Sequence, residues 1–107
     1  MRVELLWWEG CPSYPETLAD LQQTLAAEGI DSAVEMVEIE SEEQARRTRF
    51  PGSPTIRVDG TDIFPAQESE PSSLTCRVYR LRDGRPSPTP DPADLREAIR
   101  RRNAHRR

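Results

Sequence analysis

Val3-Glu4-Leu5-Leu6-Trp7-Trp8-Glu9-Gly10-Cys11-Pro12 is the stretch whose reading decides the fold. Val3 to Trp8 is a compact apolar run cut off by Glu9-Gly10, the pattern of a buried strand. Cys11-Pro-Ser-Tyr-Pro15 follows, and then a helical stretch. In it Leu18, Leu21 and Leu25 recur at three- and four-residue steps, while Asp20, Gln22, Gln23 and Glu28 fall mostly on the other side. Gly29 stands where a helix-ending glycine belongs. Ala33 to Glu40 reads as a second strand whose alternation shifts phase once, which a bulge or burial on both faces would explain. Strand, helix, strand implies a parallel pair with a right-handed crossover.

Further along, Ser41-Glu-Glu-Gln44 matches a capping box and opens a short helix through about Arg49. Phe50 to Pro54 is loop. Thr55 to Val58 alternates as a strand, Asp59-Gly60 is a hairpin turn signal, and Asp62 to Phe64 returns. Residues 65–75 are polar, rich in Pro and Ser, and read as irregular. A further short strand is expected near residues 76–81, and Asp83-Gly84 turns the chain. Pro86, Pro88, Pro90 and Pro92 space a stiff linker, after which Asp91-Pro92 starts a final helix with Leu95, Ala98 and Ile99 as its apolar stripe. The expected class is α/β, with order β-α-β-α-β-β-α and a mixed four-stranded sheet flanked by helices. One domain spans residues 1–102, and residues 103–107 form a basic tail.

The whole chain has 107 residues, enough for one core and too few for two. Its net charge of −4 hides an asymmetry: Arg2 is the only basic residue before Arg46, whereas six Arg crowd the last twelve residues. All fifteen basic residues are Arg. A helix C-terminus favours cations, and the tail has no interleaved aromatics, so these charges argue against a nucleic-acid partner. No window reaches the roughly 18 apolar residues of a membrane span. The apolar run at the N-terminus is shorter than the about 7–15 residues of a signal-peptide core. A cytoplasmic protein is therefore expected, with thiols kept reduced. Two cysteines there point to reactivity more than to a structural staple, although two inert buried thiols would give the same count. His105, the sole histidine, lies in the tail and is a poor base or ligand. Two cysteines without a histidine in the domain also argue against a closed zinc site, and no cofactor is called for.

A thiol at a helix start feels unpaired amides and the positive end of the helix dipole, which lower its pKa. Cys11 is placed for this. Pro12 removes a donor that the first turn would leave unpaired, while Glu9 and Glu16 oppose thiolate with their own charge.

The motifs Trp8-Glu-Gly-Cys-Pro12, Gly52-Ser-Pro-Thr-Ile-Arg-Val-Asp-Gly60 and Cys76-Arg-Val-Tyr79 together resemble small proteins of the thioredoxin superfamily, over roughly residues 1–100. The resemblance implies that Cys11 is the nucleophile and that a cis Ser53-Pro54 bond lies opposite it, presenting backbone to a thiol-bearing partner. Pro12 and Tyr14 would complete the site. The departure is at Tyr14, where the usual Cys-x-x-Cys motif has its second cysteine. Three explanations stay open: Cys76 resolves a mixed disulfide, an external thiol does, or redox function is lost. Eleven residues from Pro65 to Thr75 leave Cys76 within reach of Cys11. Tyr14 could cover the thiol or donate to it. Of Trp7 and Trp8, which face opposite ways in a strand, one is expected in the core and the other beside the site.

The sequence thus points to a thiol–disulfide oxidoreductase or redox-sensing thiol protein, partnered by a protein or small molecule bearing a thiol or disulfide. Soft-metal or organometal capture by the thiol pair is one alternative. A non-catalytic thioredoxin-like adaptor is another. A monothiol glutaredoxin-like enzyme is weakened by Phe64-Pro-Ala-Gln-Glu68, where that group usually has a glycine pair.

Overall fold

A computed structural model describes residues 1–64 and 72–104. Its elements are β1 (Val3–Trp7), α1 (Tyr14–Ala27), β2 (Val34–Glu38), α2 (Glu42–Thr48), β3 (Thr55–Val58), β4 (Thr61–Asp62), β5 (Tyr79–Arg80), β6 (Pro86–Ser87) and α3 (Pro92–Ala104). The first four strands form one mixed sheet in the order β2-β1-β3-β4. β1 runs parallel to β2, with Leu5 beside Met36, and antiparallel to β3, with Leu5 beside Ile56. β3 and β4 close the expected hairpin, with positive φ at Asp59 and Gly60 in its turn. The fold class is α/β.

Alternation along β1 sends side chains to two cores. On one face Val3, Leu5, Ile56 and Val58 pack with Leu21 and Leu25 of α1 and Leu95 and Ile99 of α3. On the other, Leu6 packs with Ile39, Ala45 and Phe50 beneath α2. The helix boundaries follow local chemistry. Gly29 has φ +69° and closes the end of α1, while the Oδ1 of Asp91 accepts the Ala93 N–H at 2.9 Å to start α3. No helix among the described residues is long and apolar enough to cross a membrane.

Five expectations need correction. α1 begins at Tyr14, so Cys11 stands three residues ahead of it, and the proline in the first helical turn is Pro15. β2 stops at Glu38 and is an edge strand with Met36 exposed, so its broken alternation reflects an open face, not a bulge or double burial. Burial pushes the Glu38 carboxyl up, helped by the nearby charges of Glu40 and Glu9. The proline-spaced segment is no spacer: Pro86 and Ser87 pair with β5 in a separate two-stranded hairpin, and Thr89 and Pro90 are buried. The strand expected near 76–81 narrows to β5. Helix α3 continues through Ala104, two residues into the expected tail, and His105 with the rest of that tail lies outside the described residues. Residues 65–71, most of the stretch expected to be irregular, also lie outside them.

Candidate functional site

Cys11 follows β1 across a turn in which its N–H bonds the Trp8 carbonyl at 3.0 Å. Gly10 lets the Trp8 indole lie over that turn: a Cβ there would stand 2.3 Å from the ring and displace it. The Cys11 side chain is buried, at 1% exposure, where the sequence reading had it presented at the helix tip. Its Sγ lies 3.3 Å from the Ser13 hydroxyl and, as a thiol, can donate to the Ser53 carbonyl at 3.5 Å. Ser13 occupies the cap position of α1 but makes no side-chain cap bond.

Across from Cys11 the Ser53-Pro54 peptide is cis, and both residues are buried. The Ser53 hydroxyl accepts the Trp8 N–H at 3.1 Å, tying the proline loop to the cysteine turn. Ser53 also forms a parallel bridge with Cys76. Its N–H donates to the Thr75 carbonyl at 2.8 Å, and its carbonyl accepts the Arg77 N–H at 2.9 Å. Cys76 is exposed and Cys11 buried, and the two flank the same residue, Ser53; both thiols are free. Burial pushes the Cys11 thiol up. Hydrogen bonds from the Cys76 thiol, from the Ser13 hydroxyl and backbone, and from Ser53 outweigh it and hold the group below the ordinary thiol value. Cys76, as the donor to Cys11, is pushed up to about 11, with burial and the Cys11 charge acting in the same direction. Of the two, Cys11 is the sulfur that ionises first.

Arg77 is the functional residue that sequence reasoning missed. It is a buried cation whose guanidinium donates to Asp62 Oδ2 at 2.9 Å, to Thr55 Oγ1 at 3.3 Å and to the Phe64 carbonyl. It lies 4.9 Å over the Tyr79 ring, and the Tyr79 hydroxyl donates to the Pro54 carbonyl. These contacts clamp the segment carrying Cys76 onto the β3–β4 hairpin. Gly52 permits the clamp: at φ +139°, a Cβ there would lie 2.9 Å from both the Arg77 Cα and N. Only the placement of Arg77 inside the strand expected near residues 76–81 hinted at this.

Among the remaining expected site residues, Tyr14 stacks on Trp7 with ring centroids 4.4 Å apart, and among the described residues its hydroxyl makes no hydrogen bond to Cys11. Pro12 is exposed beside the turn and takes no part in the first helical turn. Trp8 packs at the edge of the α2-side core and contributes its backbone to the site. No group of three or more His, Cys, Asp and Glu side chains among the described residues is gathered to hold a metal ion. Compared with known proteins, the chain matches no family model, no curated protein and no solved structure.

Proposed function

We propose that this chain is a thioredoxin-like thiol–disulfide redox protein whose working pair is Cys11 and Cys76. The observation that carries the reading is the meeting of the two cysteines at Ser53, whose carbonyl lies 3.5 Å from the Sγ of buried Cys11 and whose backbone bridges exposed Cys76. Supporting it are a cysteine four residues past the end of β1 and a cis Ser53-Pro54 bond directly before β3, brought together at one end of a mixed sheet. In the cycle the two thiols become one disulfide, and a disulfide co-reactant takes up the two electrons as two thiols. Cys76 then supplies the second thiol that the chain lacks at Tyr14.

Two adjacent thiols also suit a two-coordinate soft ion. That capture reading is less favoured because Cys11 is sealed and already hydrogen-bonded.

The test is intact mass before and after mild oxidation of the reduced monomer. Wild type is expected to lose the mass of two hydrogens, and Cys76→Ser to lose none. Retention of both free thiols in oxidised wild type would refute the pairing.

A further inference from the structure

The two sulfurs differ in access, and so do the backbone groups around them. An extended peptide joins a strand by pairing with its free N–H and C=O groups. At Ser53, beside Cys11, both groups are already engaged by Thr75 and Arg77 of the same chain. The segment Thr75–Arg77 thus occupies the position a docking peptide would take, and the Arg77 clamp fixes it there. Cys11 is sealed beneath it, while Cys76 faces solvent.

Building on the redox-pair reading, we infer that Cys76 is the sulfur that takes up the external thiol, and that the co-reactant is a low-molecular-weight disulfide, not an extended protein segment. In the oxidative direction the Cys76 sulfur attacks the disulfide RSSR as its proton passes to the Cys11 thiolate. The RS–SR bond breaks, a Cys76–SR bond forms, and one RS− leaves. Cys11 then attacks the Cys76 sulfur, its proton leaving with the second RS group as RSH. The protein disulfide has formed, and RSSR has been reduced to two thiols. In reverse, a small thiolate attacks Cys76 and expels Cys11, which leaves readily because its neighbours stabilise it as thiolate. The exposed member of the pair is thus the point of entry, and the buried member closes and opens the ring.

The experiment uses glutathione disulfide with the full chain, in three forms: wild type, Cys11→Ser and Cys76→Ser. Reactions are quenched in acid, mapped by peptide mass, and the rates normalised to the thiolate fraction of each variant from its ultraviolet titration. Wild type should lose the mass of two hydrogens through a transient adduct on Cys76. Cys11→Ser should accumulate that adduct about tenfold or more faster than Cys76→Ser accumulates one on Cys11, since attack follows access. Adduct on Cys11 in wild type, or a faster normalised rate in Cys76→Ser, overturns the order of attack while leaving the redox pair intact. Failure of wild type to lose two hydrogens overturns the pair and this inference together. A short extended peptide carrying the same cystine should react about tenfold more slowly than glutathione disulfide; equal or faster reaction overturns the small-molecule assignment.

Discussion

Both α1 and α2 have a serine at the cap position, and the two serines do different work. Ser41 has extended backbone, φ −144° and ψ 158°, which swings its hydroxyl over the first turn to accept the Gln44 N–H at 3.0 Å. Gln44 reaches back to accept the Glu40 N–H at 2.9 Å. Ser13 has nearly helical backbone, φ −86° and ψ −8°, makes no cap bond, and places its hydroxyl beside the Cys11 sulfur. At one helix start the side chain stabilises the fold, and at the other it stabilises charge on a neighbour. A residue type that favours helix starts is thus no guide to which of the two roles it plays.

The largest effect should come from removing the clamp that holds the Thr75–Arg77 segment beside Ser53 and Cys11. Arg77→Met leaves Asp62, itself mostly buried, without its cation and frees the segment bearing Cys76. Because Asp62 keeps some solvent contact, the expected loss is about 3 kcal/mol by denaturant unfolding, the low end for a broken buried pair. The pair Arg77→Met with Asp62→Leu should recover part of that loss but not the ready oxidation of Cys11 with Cys76. Full recovery of both would show that the clamp is dispensable.

Next in size is Ser41→Ala, which removes a working cap. About 1 kcal/mol of stability should go, with the ultraviolet titration of Cys11 unmoved. The smallest change in stability belongs to Ser13→Ala, below about 0.5 kcal/mol near neutral pH because no cap bond is lost. Its titration should nevertheless show the Cys11 step moved up. The pH dependence follows from the sign of that shift. A thiol whose pKa is lower folded than unfolded stabilises the fold above its unfolded pKa, and loses that contribution as pH falls through the folded one. The stability gap between wild type and Ser13→Ala should therefore open in alkali and close in acid. A gap constant with pH would mean that Ser13 acts on the helix after all.

Much of this architecture was legible in the chain. The apolar run of β1, the leucine spacing of α1, the capping box of α2 and the Asp59-Gly60 hairpin are all local signals, set by residues within a turn of one another. What could not be read were outcomes of long-range competition. Cys11 and Ser13 both lie where α1 could start, and tertiary contacts of the cysteine turn with Ser53 settle the choice. Pro86 reads as linker until Arg80 pairs with it. Arg77 reads as a surface charge until Asp62, fifteen residues away, folds back against it. The reading of Ser53-Pro54 as cis came from a resemblance between motifs, since nothing in the local composition fixes that geometry.

The open margin of the sheet has a consequence for crowded or acidified solutions. Among the described residues β2 is unpaired on its outer side, leaving a row of backbone groups that a second copy could zip onto, with Met36 as a ready adhesive. At its end Glu38 carries a charge crowded by those of Glu40 and Glu9, and a second copy would bring the same charges up against them. Glu38 takes up its proton at higher pH than an ordinary glutamate, so this mutual repulsion is the first defence to weaken on acidification, and self-association through the β2 margin should begin there.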